Sequence, residues 1–286
     1  FLQGGASMQF YQVPLNLLNE GKTAGYINTG TWSSKAIKEA KLVGSVNVLA
    51  SSEDKNFSYI PKNFAIPSDL AYLHYTSNNT IFGTQFHHLP ETNVKLVSDM
   101  SSDIFSRPID INKFDLIYAG AQKNIGPAGV TLVIIRKEAL ASINKKLPSM
   151  LDYRIHAENG SMFNTPPVFA VYATMLTLEW IQENGGLSAM AEHNQQKAKI
   201  IYDVLDQSSL FKGHAVKEDR SQMNVTFNLT DGTLEDAFSA ACKKEGLDGL
   251  KGHRSVGGFR ASIYNAMSLE GVQLLADVMT NFEKNS

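Results

Sequence analysis

Leu116-Ile117-Tyr118-Ala119-Gly120-Ala121-Gln122-Lys123-Asn124-Ile125-Gly126-Pro127-Ala128-Gly129, with the run Val130 to Ile135 directly behind it, is the stretch on which the reading of this chain turns. A short apolar run bounded by turn residues reads as a buried strand. Leu116 to Tyr118 is such a run, so Lys123 stands just past a carboxyl end. Another run, Val94 to Val97, delivers Ser98 and Asp99 to the same edge of the same sheet. Working outward, runs at Val46 to Ala50, Leu70 to Tyr75 and Val130 to Ile135 are separated by turns and helix-like segments. This alternation predicts an α/β architecture with a largely parallel sheet covered on both faces. A helical pattern follows from Val168 through Trp180, and Gly185-Gly186 punctuates it. The domain boundary is placed there, giving a large domain over 1–185 and a small α+β domain over 186–286. In the second part we expect a polar helix around Ala189 to Leu205, a strand at Val225 to Phe227, a helix from Leu234 to Lys244, a strand at Phe259 to Tyr264 and a closing helix from Leu269.

Composition narrows the class. The chain has 286 residues, 43% hydrophobic and 19% charged, ordinary values for a globular protein with a large core. A formal charge of −2 argues against a nucleic-acid surface. No apolar run reaches the length of about 18 residues expected of a membrane span, and no signal-peptide pattern is present. A cytoplasmic protein is the expectation. The single cysteine, Cys242, sits in the amphipathic pattern AFSAACKKEG and reads as a structural thiol. The seven histidines, among them the pair His87-His88, have no metal-ligand spacing, so no metal is expected.

An amine and an acid on one strand edge suit pyridoxal 5'-phosphate. The lysine meets the cofactor's aldehyde, and the aspartate keeps the pyridine nitrogen protonated so that the ring accepts electrons. By spacing alone the same pair also fits a solvated loop lysine and a helix-capping aspartate. The surrounding strings separate the two. Gln122-Lys123-Asn124 followed by Gly126-Pro127-Ala128-Gly129 resembles the lysine segment of the phosphoserine aminotransferase family, fold-type I enzymes of the class V group. FLQGGASMQF at the start, TGTWSSKA at Thr29 to Ala36, DMSSDIFSRPID at Asp99 to Asp110 and GHRSVGGFRASIYNA at Gly252 to Ala266 resemble the same family in the same order.

The resemblance implies a fold-type I architecture, with a mainly parallel seven-stranded sheet and a small C-terminal domain, and it implies roles for particular residues. Gly4 and Gly5 lead into a helical segment, where free backbone N–H groups favour an anion. Ala6 and Ser7 are therefore the candidates for the cofactor phosphate, although a plain turn with a serine cap would look alike. Where family members carry glycine or arginine, this chain has Ala6 and Ser7, so no arginine charge is available there. Pro14 falls inside the expected helix and should kink it or shift its start. Trp32 matches the aromatic residue that stacks on the cofactor ring, Thr80 the threonine near its phenolic oxygen, and Gln122 a phosphate contact. Asn164 and Thr165 match a pair that the family sends from the neighbouring subunit, which implies a homodimer. For substrate, the resemblance assigns Arg260 to the carboxylate and His253 with Arg254 to a phosphate; an arginine fork suits both groups.

The activity implied is transamination between L-glutamate and 3-phosphooxypyruvate, with a side activity in pyridoxine biosynthesis among bacterial members. Another class V enzyme would share Asp99 and Lys123, and a desulfurase would further need a reactive loop cysteine. Family members carry a segment ahead of the phosphate loop that holds a further histidine–arginine pair. The polypeptide is accordingly expected to be truncated, processed or incompletely represented, and a fragment that keeps the fold without activity is the remaining alternative.

Overall fold

The structure is a computed structural model that describes residues 1–286. In chain order, β1 (Leu2–Gln3) leads into α1 (Ala6–Leu17), β2 (Thr23–Asn28), α2 (Thr31–Val43), β3 (Ser45–Ser51), β4 (Leu73–Thr76) and the two-residue strands β5 (Asn78–Asn79) and β6 (Thr84–Gln85). β7 (Leu96–Asp99), β8 (Leu116–Gly120), β9 (Val130–Ile135), α3 (Lys137–Ala141), α4 (Tyr153–Glu158) and α5 (Val168–Glu183) follow. The remainder comprises α6 (Gly186–Gln207), β10 (Phe211–Gly213), β11 (Asn224–Leu229), α7 (Glu235–Lys244), β12 (Phe259–Ser262) and α8 (Leu269–Asn285).

Seven strands form one sheet in the order β1-β9-β8-β7-β4-β2-β3. β8, β7, β4, β2 and β3 are parallel, whereas β9 runs antiparallel to both β8 and β1. Parallel pairing puts the carboxyl ends of β7 and β8 side by side, with Asp99 opposite Tyr118. Alternation along each strand sorts the side chains. Tyr26, Val97 and Tyr118 pack with Phe10, Val13 and Leu17 of α1 and Ala36 and Ile37 of α2, while Ile27, Leu73, Ile117 and Ala119 pack on the other face with Ile125 and with Ala170 of α5. The larger aliphatic and phenylalanine side chains among them contribute about 1.5–3 kcal/mol each on burial, so the sheet is fixed from both sides and its carboxyl edge forms a shelf.

The second sheet is antiparallel, β10-β11-β12, and packs against α6, α7 and α8. Its core is aromatic: Phe238 of α7 lies 4.9 Å, centroid to centroid, from both Phe211 and Phe259.

Several boundaries differ from the sequence reading. β2 was not foreseen, nor were the short β1 and β10, and β12 ends at Ser262 instead of Tyr264. Pro14 does not shift the start of α1, which begins at Ala6 and carries Pro14 within it.

Candidate active site

At the edge of the sheet, Asp99 ends β7 and is buried. Its Oδ1 accepts from the Ser101 amide at 2.9 Å and from the Ser101 hydroxyl at 2.6 Å. The same hydroxyl accepts from the Gly120 amide at 3.1 Å, which ties the acid to the end of β8. Burial raises the Asp99 carboxyl above the usual range, and the two Ser101 donors and the charge of Lys123 pull it back.

Lys123 lies in the turn beyond β8. Its Nζ donates to Thr80 Oγ1 at 3.0 Å and sits 5.0 Å from the centroid of the Trp32 ring. Burial lowers its pKa, Asp99 opposes that shift and Arg260 adds to it. Thr80 comes from the turn joining β5 to β6, and Trp32 from the first turn of α2. The Lys35 ammonium is 4.7 Å from the same indole centroid. Thus Lys123, Thr80, Trp32 and Asp99, read from separate stretches of sequence, gather at one sheet edge.

Gly120 explains how α1 approaches that edge. A Cβ there would stand 2.8 Å from Gln122 Oε1 and 3.2 Å from the Ala6 amide nitrogen. Ala6 and Gln122 are therefore neighbours across a gap that a side chain would fill. The N-cap, Gly5, makes no side-chain cap and the first turn holds no acid, so the leading amides at Ala6 and Ser7 remain able to take an anion. Ser7 itself is exposed.

Arg260 lies on β12, in the strand expected from Phe259, and its Nε is buried without a partner in the chain. His253 Nδ1 bonds Ser255 Oγ at 3.0 Å, and Arg254 is exposed. Partial burial lowers the His253 pKa first, and Arg254, Arg260 and Lys35 lower it further. Four basic side chains, His253, Arg254, Arg260 and Lys35, are therefore close enough to act on one another, which is an arrangement for an anionic ligand. Asn164 and Thr165 are not drawn into this cluster: Asn164 Nδ2 donates to Thr165 O at 3.1 Å, in the segment that leads to α5.

Sequence reading passed over Ser101, Lys35, Tyr264 and Asn224. Asn224 Nδ2 donates to the Tyr264 hydroxyl at 3.2 Å and to Ser262 Oγ at 3.2 Å, closing the site from the second sheet. Only Ser101 carried a local signal, since an aspartate followed two residues on by serine is the pattern of an Asx turn. Cys242 is buried in α7 with its thiol pushed up to about 11, unlike a reactive loop cysteine. No three histidine, cysteine or acidic side chains are placed to hold a metal, and no helix is long and apolar enough to cross a membrane.

A lysine, a buried acid and an uncapped helix start on the carboxyl edge of such a sheet define an aminotransferase-like site. The aminotransferase class-V family model matches residues 1–275, and the chain belongs to that family. It is 57% identical to the phosphoserine aminotransferase of Desulfosudis oleivorans, covering 100% of this chain and 80% of the relative. Among solved structures, the phosphoserine aminotransferase from Bacillus circulans subsp. alkalophilus superposes with a TM-score of 0.97 at 50% identity over 99% of this chain and 80% of that one. The pyridoxal-phosphate-bound phosphoserine aminotransferase from Trichomonas vaginalis gives 0.92 at 40% identity, over 98% and 81%.

Proposed function

We propose that this chain transfers the amino group between L-glutamate and 3-phosphooxypyruvate, yielding O-phospho-L-serine and 2-oxoglutarate, with pyridoxal 5'-phosphate as cofactor. The observation that carries the reading is Lys123 Nζ, held 3.0 Å from Thr80 Oγ1 and 5.0 Å from the Trp32 ring centroid, at the edge where Asp99 is buried. Identity with phosphoserine aminotransferases over almost the whole chain supports the choice of substrates.

The residues fit the cofactor. Trp32 Nε1 is buried and unpartnered, its ring lies beside the lysine, and the gap at Gly120 joins the Ala6 amide to Gln122. Ala6, Ser7 and Gln122 would hold the phosphate, Trp32 would stack, and Thr80 would take the phenolic oxygen once Lys123 releases it. When bound, the cofactor supplies an aldehyde that carries the amino group and a ring that accepts electrons from the substrate α-carbon. Asp99 would supply the negative charge that keeps the ring nitrogen protonated, with Ser101 holding its carboxylate in place through Oδ1. Lys123, its pKa lowered by burial, takes the proton from the substrate α-carbon through Nζ. Arg260 binds the substrate carboxylate, while His253 and Arg254 bind the phosphate.

The working unit in this proposal is a homodimer. Val168, Phe169, Tyr172, Met175 and Leu176 of α5 are exposed together with Met162, an apolar face of the kind that a second copy covers. Asn164 and Thr165 stand beside it and would complete the neighbour's phosphate site. We further propose a cytoplasmic location, a cofactor-binding domain over 1–185, a small domain over 186–286, and a side activity on the phosphorylated threonine precursor of pyridoxine.

The test is direct. Protein loaded with pyridoxal 5'-phosphate and given L-phosphoserine and 2-oxoglutarate should form glutamate, and its visible absorption should change on phosphoserine alone. Turnover of phosphoserine no faster than that of serine would sink the substrate assignment.

A further inference from the structure

Lys197 of α6 is wholly buried, yet it takes part in none of the molecule's ion pairs. Its ammonium instead donates to three consecutive carbonyls just past β12, those of Ile263 at 3.0 Å, Tyr264 at 2.6 Å and Asn265 at 3.4 Å. Three donors meet three acceptors, which only the charged amine can do. A second row of carbonyls lies opposite. Ile104 O accepts from Asn124 Nδ2 at 2.6 Å, Phe105 O from Asn265 Nδ2 at 2.9 Å and Ser106 O from Asn194 Nδ2 at 3.2 Å. The two rows are joined, because the Asn265 amide donates to Asn124 Oδ1 at 3.0 Å and Asn194 Nδ2 also donates to Asn265 Oδ1 at 2.8 Å.

The three segments so bound are the ones that carry the site. Asn124 adjoins Lys123, residues 104–106 continue the loop that begins at Asp99, and residues 263–265 leave the strand that holds Arg260. Phe105 has a φ of 55°, a conformation that a bulky residue adopts only when its surroundings enforce it. Burial moreover pulls the Lys197 pKa down to about 8. A charge buried at that cost is a poor source of stability, and fixing one arrangement is the better-attested use of such a group.

We infer that Lys197 is a positioning residue for transamination: by fastening residues 263–265 it sets Asn265 against Asn124 and so fixes Lys123 relative to the Asp99 loop and the substrate strand. The inference rests on the function proposed above, but its structural half does not. Arg260 is also held by its own pairing in the second sheet, so loss of Lys197 should disturb the alignment of Lys123 more than substrate binding.

Lys197→Met keeps the length and removes the donors. We expect kcat to fall roughly ten- to hundredfold, the worth of lost charge-assisted hydrogen bonds, with KM for glutamate little changed. Hydrogen–deuterium exchange should quicken in the peptides carrying residues 104–106, 124 and 263–265, and stay unchanged in β2 and β4. Because Lys197 acts through Asn124, the double variant Lys197→Met, Asn124→Ala should lose no more than the worse single variant. Multiplying losses, an unaltered kcat, or exchange that quickens evenly across the molecule would overturn the proposal. If Lys197→Met does not fold, Lys197→Gln, which retains two donors, decides by the same exchange pattern. Wild-type protein that shows no transamination would refute the proposed function, and the exchange experiment would still decide the clasp.

Discussion

Asp99 owes its orientation to a serine two residues away, and this contact makes a sharp prediction. Ser101→Ala removes the 2.6 Å hydroxyl donor and the link to Gly120 but leaves the Asp99 charge, so turnover should fall roughly ten- to hundredfold, as for one hydrogen bond to a charged group. Asp99→Ala should cost more, roughly a hundred- to thousandfold in kcat, while much cofactor affinity persists through Ala6, Ser7 and Gln122. Near-normal turnover in Asp99→Ala would refute its role opposite the ring nitrogen. Lys123→Ala should abolish turnover altogether. Borohydride reduction of the loaded wild type, followed by peptide mass analysis, should mark Lys123, and a mark on any other lysine would remove the basis of the site.

Among the elements, β12 and the loop before it divide the work of binding in the proposed function. Arg260 lies on the strand and Arg254 in the exposed loop, so Arg260→Ala should weaken glutamate and phosphoserine alike. Arg254→Ala should weaken the phosphorylated substrate more, by about 1.5–3 kcal/mol, as read from KM for each. Equal damage to both substrates from Arg254→Ala would contradict the split. In β4, His74 is buried against Tyr118, its Nε2 2.9 Å from the hydroxyl, and its pKa is lowered to about 3 by burial. The unfolded chain therefore binds a proton that the folded one refuses, so this stability is complete above about pH 6.5 and is lost as the pH falls towards 3. Urea unfolding between pH 7 and 4 should show that loss, and His74→Gln should reduce it. Most of these elements were legible because their apolar runs are uninterrupted. β2 was not, since its pattern is broken by Gly25, where a Cβ would stand 2.7 Å from Leu70 Cδ1; the close packing that requires glycine erases the apolar signal. Lys123, Asp99, Thr80 and Trp32 could be singled out because they lie in family strings, and so could Arg260, which falls in the strand expected at Phe259 to Tyr264. Lys197 and Asn194 escaped notice because a helix rich in polar residues reads as solvated, and Asn265 because it lies in the connection past β12; only the tertiary contacts bury these three.

For the whole molecule, the shared-site dimer can be tested by complementation. Lys123→Ala chains mixed with chains carrying Asn164→Ala and Thr165→Ala together should regain activity above either parent, since one site in each mixed dimer has an intact lysine and an intact pair from its neighbour. Absence of recovery despite demonstrated heterodimers would mean that each chain builds its own phosphate site. The pairing of β1 with β9 has a further consequence, for the order in which the molecule is made. β1 meets β9 through two residue pairs, Leu2 with Thr131 and Gln3 with Val130, while the Gly4 amide donates to Gly129 O at 3.0 Å. The amides proposed for the cofactor phosphate are thus synthesised before the segment that docks them, which leaves the ribosome far later, across a long loop whose closure entropy must be overcome. On a growing chain the anion cradle is the last part of the large sheet to close, so the nascent protein acquires its place for the cofactor only after the strand that carries Lys123 towards it is already complete.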